Sequence, residues 1–161
     1  MKPPLKILLI LEVLWMFLVA GTMFGIWLGH DPKTFSYASF VEMRQHAIRS
    51  MNIKLPLMAA AGILLTLVPA FLARKDPGLA WLLSGAVLLF AAAGAVTRFY
   101  NQPVNSIVMT WTISSPPHNW LELRDQWWVW RVLRTVLGIA GQGLLTTAAV
   151  FYVKPLSRSI A

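Results

Sequence analysis

There is no cysteine in this 161-residue chain. That excludes disulfides, thiolate metal sites and thiol nucleophiles, and it leaves the redox compartment undetermined. Charge is scarce too. Asp, Glu, Lys and Arg make up 12 % of the residues, and six positions are acidic; a soluble domain of ordinary composition carries about 25 %. The standard catalytic signatures are also missing, with no GxSxG, P-loop, GxGxxG or HExxH. Zinc-finger spacing, an RNP motif and Lys/Arg runs are absent as well, so the net charge of +8 gives no reason to expect nucleic acid. Anionic lipid head groups are the simpler partner for it.

What the chain has in excess is apolar surface: 57 % of its residues are hydrophobic, and its mean hydropathy is +0.62. The apolar residues form four runs, approximately 5–28, 55–73, 79–98 and 132–153, the first broken by Glu12. About 20 apolar residues carry a helix across the hydrocarbon core. No water is available there to backbone groups, so the spans must be helical. The expectation is an all-α, multi-pass integral membrane four-helix bundle, one domain over residues 1–161. Amphipathic, interfacial helical extensions should lie on the face opposite the termini. Lys2 and Lys6 flank the first run, but it is too long for a signal-peptide core and ends in no small-x-small cleavage site, so it reads as an uncleaved span. The same lysines favour cytoplasmic termini in a plasma or inner membrane. A whole-chain count disagrees, with six Lys/Arg on the terminal face (Lys2, Lys6, Arg74, Lys75, Lys154, Arg158) against eight on the other.

Three constellations fall on that other face. In FSYASFVEMRQHAIRSMN, Ser39, Glu42, His46 and Arg49 step by three, four and three, which aligns them on one side of a helix. Phe40, Ala47 and Met51 lie on another side. Ser39-x-x-Glu42 matches a capping box, and the preferred reading is a helix start with an interfacial polar face. The sharper reading makes His46 a general base oriented by Glu42. In YNQPVN, Pro103 suits the first turn of a helix, with Asn101 or Gln102 as its cap. The functional alternative turns the Asn101 and Asn105 amides into a cavity between helices. After SSPPHN, with Asn119 and Glu122 placed as a capping box, Trp120, Arg124, Trp127, Arg131 and Arg134 form one helical stripe, while Trp128 and Trp130 point elsewhere. A membrane-interface belt is the plain account of such residues. A regular Trp/Arg stripe can also stack a flat ring and hold its anionic oxygens. His30, His46 and His118 share this face, and three histidines can ligate a metal, although their spacing is not a metal motif. Glu12 is an intramembrane acid and so a functional candidate; its plain reading is a carboxyl that is neutral or bonded to Gln142 or Thr146.

Asn101-x-Pro103-x-Asn105, Trp120-x-x-Leu123-Arg124-x-x-Trp127 and Arg134-Thr135 at the entry of the last span together resemble the anthrone oxygenase-like family of small four-span membrane proteins. FVEMRQHAIRSMNIKLPLM is similar to that family's second helix. The resemblance implies oxidation of an anthrone to an anthraquinone without a metal or organic cofactor. It departs at one point: many relatives carry a His two residues before the last-helix Arg, where this chain has Val132. If that His is the proton acceptor in the relatives, this chain must use His46 or His118 instead, or it does not catalyse that reaction.

These readings converge on an oxygenase for a flat, phenolic, lipid-soluble aromatic compound. His46 with Glu42, or His118, would be the base, and Asn101, Asn105, Arg131 and Arg134 would be donors to the developing oxyanion. Trp120, Trp127, Arg124 and Arg49 would bind the substrate. No cofactor is expected. Two alternatives stay open: a non-catalytic lipid or quinone-like ligand binder, homo-oligomeric or part of a membrane complex, and a metal or haem redox protein using the three histidines.

Overall fold

The computed structural model describes residues 3–152, so Lys2, Lys154, Arg158 and the last residue of the expected fourth span, Val153, lie outside it. The chain is helical, with no strand among the described residues. Four helices are long and apolar enough to cross a membrane. They are α1 (Pro3–Gly29), α3 (Lys54–Leu72), α4 (Pro77–Val96) with its continuation, and α6 (Trp120–Tyr152). Between α1 and α3 lies α2 (Tyr37–Met51), and after α4 comes α5 (Gln102–Val108). The protein is an all-α membrane bundle. Helix α6 packs on α1 and α4, and α3 packs on the same two, which closes a ring of four.

Local chemistry accounts for the ends of these helices. Asp76 caps α4 by accepting from the Leu79 N–H at 3.2 Å, and Pro77 fills the first turn, where no donor is needed. Helix α6 begins directly after Asn119. Helix α2 starts earlier than its sequence suggests. Its cap is Ser36, whose Oγ accepts from the Ser39 N–H at 3.3 Å, so Ser39 and Glu42 lie inside the helix and form no capping box.

The spans bury Leu9, Met16, Leu83, Ala86, Phe90 and Leu145 in one core. Close approach of α4 and α6 depends on Gly141, where a Cβ would stand 2.8 Å from the Phe90 ring. Glu12 lies inside this core, 1 % exposed. Its partner is neither of the two expected from sequence. Thr66 Oγ1 on α3 donates to Glu12 Oε1 at 2.9 Å, while Gln142 Nε2 donates to the Val13 carbonyl and to Thr146 Oγ1. Hydrogen bonds of this kind tie helices together where the hydrophobic effect cannot.

A second core covers one end of the bundle, where Phe40, Val41 and Ile48 of α2 meet Val104 and Val108 of α5, Trp111, and Trp127 of α6. Gln45 Nε2 donates to the Val108 and Trp111 carbonyls at 3.0 and 2.9 Å, and the Tyr37 hydroxyl donates to the Thr112 carbonyl at 2.8 Å. These bonds tie α2 to the end of α5 and to the loop that follows it. Helix α2 is therefore clamped across the mouth of the bundle.

Candidate functional site

The chamber under that clamp starts from one irregularity. After Val96 the third span does not stop. It widens into a π-helical turn, Thr97–Asn101, closed by the Gln102 N–H on the Thr97 carbonyl, and runs on as α5. Pro103 has no N–H to give to the preceding turn, which is a physical reason for the widening. Asn101 is not a cap here. It is 2 % exposed, and its Nδ2 donates to the Trp127 carbonyl at 3.1 Å. That bond replaces the expected capping role and docks the π turn onto α6.

Arg44 of α2, Asn52, Thr97, Asn101 and Asn105 of the third span, and Trp127, Arg131 and Arg134 of α6 line a cavity of about 60 Å³. Arg44 Nη2 donates to Asn105 Oδ1 at 2.6 Å, and Asn105 Nδ2 donates to Asn52 Oδ1 at 3.2 Å. Arg134 Nη1 donates to Thr97 Oγ1 at 3.1 Å. The Arg44 guanidinium lies 3.8 Å from the Trp127 ring centroid and that of Arg131 lies 5.2 Å from it. One indole thus supports two cations, an arrangement worth about 0.5–2 kcal/mol for each contact.

Among the described residues these three arginines have no acid beside them. An ion pair between Arg124 and Asp125, at 2.8 Å, lies outside the chamber. Among the described residues no Asp, Glu or His lines the cavity. Arg44 Nε, Arg131 Nε and Nη2, and Arg134 Nε are buried with no hydrogen-bond partner. Burial, and then the positive charge of Arg134, pull the Arg44 guanidinium down to about 9, so it stays protonated at neutral pH. The chamber is a concentrated, partly unsatisfied cationic surface. Its orphaned donors fit an anionic oxygen.

The expected site residues divide. Asn101, Asn105, Trp127, Arg131 and Arg134 come together in the chamber. Glu42, His46 and Arg49 do not reach it, because they form the exposed face of α2, opposite Phe40, Val41, Arg44 and Ile48. His118 and His30 are exposed as well. No group of three metal-ligating side chains exists among the described residues, so the three histidines do not gather. The Trp/Arg stripe parts in the middle. Trp120 packs edge-on against Tyr37 at 5.2 Å, and Arg124 lies over Trp120 at 5.3 Å, so these two serve the aromatic lid. Trp128 packs on that lid, and Trp130 stacks on Tyr100 at 3.8 Å. Trp127 has its ring covered by guanidinium and is 3 % exposed, which suits it to hold arginines more than to stack a ligand.

Arg44 and Asn52 are members that sequence reasoning passed over. A signal for Arg44 was present. Phe40, Ala47 and Met51 leave one turn of their stripe vacant, and Arg44 fills it. A charge at that place on an apolar face must be buried with a purpose or be costly.

A protein-family model described as anthrone oxygenase matches residues 44–153, a stretch that contains every polar residue named in the chamber. No curated protein and no solved structure matches the chain.

Proposed function

The chain belongs to the anthrone oxygenase family, and from that premise we propose that it is a membrane oxidoreductase whose arginine chamber binds the enolate oxygen of a flat phenolic substrate. The observation that carries the reading is the group of three guanidiniums, Arg44, Arg131 and Arg134, with orphaned N–H donors and no carboxylate. The reaction balances without a further reductant: an anthrone and dioxygen give an anthraquinone and water. Loss of the proton from the substrate's methylene carbon leaves an electron-rich enolate. That enolate passes an electron to dioxygen, a peroxide forms at the carbon, and water leaves as the second C–H bond breaks. Preorganised cations that hold the enolate oxygen lower the cost of the first step, and one such donor is worth about 10²–10³ in rate in other oxyanion sites.

With no histidine or carboxylate among the described residues of the chamber wall, this reading does not use a protein side chain as the base. His46 and His118 are exposed, so the proton passes to water, and the arginines make the substrate acidic enough for that. Purified protein in detergent or liposomes, given an anthrone in air, should form quinone by absorbance with matching oxygen uptake. Arg131→Gln should lose most of the rate, while His46→Ala and His118→Ala keep it. Loss of turnover in either histidine variant, with folding intact, would restore a histidine base.

The lack of a base in the chamber also favours one second reading, a non-catalytic holder of a quinone-like or lipid anion. Saturable binding with no quinone formed would select it. The partners proposed are membrane lipids and one hydrophobic aromatic small molecule.

A further inference from the structure

Beside the arginine chamber lies a second cavity of about 250 Å³, walled mainly by Val19, Met23, Ala60, Phe90, Ala93 and Gly94. The two cavities share Arg134, Thr97, Gln102, Leu55 and Pro56. They are two compartments of one site, one cationic and small, the other apolar and larger.

We propose that the apolar cleft is the ring-binding compartment of this site, taking the fused aromatic body of a phenolic ligand whose anionic oxygen reaches Arg134 in the chamber. The volumes set the division. A water molecule needs about 10–15 Å³ of cavity measured with a water-sized probe, so 60 Å³ holds an oxyanion and a few waters but not three fused rings. The cleft has the room the chamber lacks. Its character fits the same ligand, because its walls are aliphatic and phenyl except where Thr97, Arg98, Gln102 and Arg134 rim it. An apolar body with one anionic edge matches both the surface and the charge.

Gly94 lines the cleft. An added Cβ there would meet nothing within 4 Å, as at Gly21, Gly25, Gly29 and Gly143, so the wall at this point is bare backbone with open room beside it. Ala60, across the cleft on α3, is exposed like Gly94, so the compartment opens on the outer surface of two membrane-length helices. A lipid-soluble ligand can reach it from the bilayer.

This inference rests on the anion-binding half of the proposed function and needs no turnover. The probe is 1,8-dihydroxyanthraquinone, titrated into protein in phosphatidylcholine liposomes and followed by quenching of tryptophan fluorescence. Wild type should quench saturably. Gly94→Leu and Ala60→Phe, which fill the cleft without striking the protein core, should raise Kd at least tenfold. Gly143→Leu, an equally open position on α6 away from the cleft, should leave it unchanged, with monodispersity and helical circular dichroism confirming folding in all three. Kd in both cleft variants within twofold of wild type overturns the proposal, and so does wild type without saturable quenching. Normal binding with no quinone formed from an anthrone defeats the oxygenase reading and leaves this one standing.

Discussion

Arg131→Met should make the ligand-free protein more stable and the functional protein worse. Arg131 is 3 % exposed, and two of its nitrogens, Nε and Nη2, have no partner. Each orphaned buried donor costs about 1–3 kcal/mol. The contact with the Trp127 ring at 5.2 Å returns about 0.5–2 kcal/mol. Arg44 and Arg134 add like-charge repulsion across the same cavity. Methionine keeps much of the length and the packing while removing the charge. The balance favours the variant by about 1–4 kcal/mol, the range found when buried ions elsewhere give way to apolar residues. At about 2–4 °C per kcal/mol, thermal unfolding in detergent should move up by several degrees. Quinone formation should fall by about 10²–10³ in kcat/KM, and the affinity for an aryl anion should fall with it. Differential scanning fluorimetry and the oxygen-uptake assay on one preparation measure both. A variant that unfolds earlier than wild type and turns over normally refutes the reasoning, because Arg131 would then be a structural cation with a partner of its own.

Three further outcomes follow from the same contacts. Arg44→Gln should lower stability, opposite in sign to Arg131→Met, since Arg44 has a 2.6 Å bond to Asn105 and the closest guanidinium contact on Trp127; an unchanged or raised melting temperature argues against that distinction. Arg44 sits at about 9 in the free protein, and a bound anion raises that value, so above it the complex holds a proton that the free protein has lost. The Kd of a permanently anionic aryl sulfonate should rise as pH climbs through the range in which the buried arginines lose their protons, Arg44 at about 9 among them, a rise that calorimetry should find reduced in Arg44→Gln. Glu12→Gln keeps an oxygen for Thr66 to donate to and should shift unfolding by less than about 0.5 kcal/mol, whereas Thr66→Val loses the bond and should cost about 0.5–1.5 kcal/mol; a larger effect of Glu12→Gln than of Thr66→Val would show that the carboxylate charge, not the hydrogen bond, is what matters.

Arg44 and His46 show how far the sequence could be read. Both lie on α2, and the three-four-three spacing of Ser39, Glu42, His46 and Arg49 correctly marks one face of that helix. Spacing reports which residues share a face but not which face meets the protein. The polar stripe went outward, as polar stripes do, and the buried chemistry came from Arg44 on the apolar side, a single charge that the surrounding pattern hides. The Trp/Arg stripe of α6 taught the same thing along the helix axis. Trp120 and Arg124 share a direction with Trp127, Arg131 and Arg134, but they stand higher on the helix, where Tyr37 and the aromatic lid meet them.

The sequence by itself determined the membrane-length helices, because a bilayer imposes a length and a composition that any 20-residue window either satisfies or fails. It also determined the family, through short motifs between residues 101 and 135 whose spacing is local. The tertiary structure alone decided Thr66 as the partner of Glu12, the inward face of α2, the docking of Asn101 on the Trp127 carbonyl, and the meeting of three arginines without an acid. Those facts depend on how helices rotate and approach one another. That is set by the sum of many weak packing contacts across the whole bundle, and no single stretch of residues encodes it.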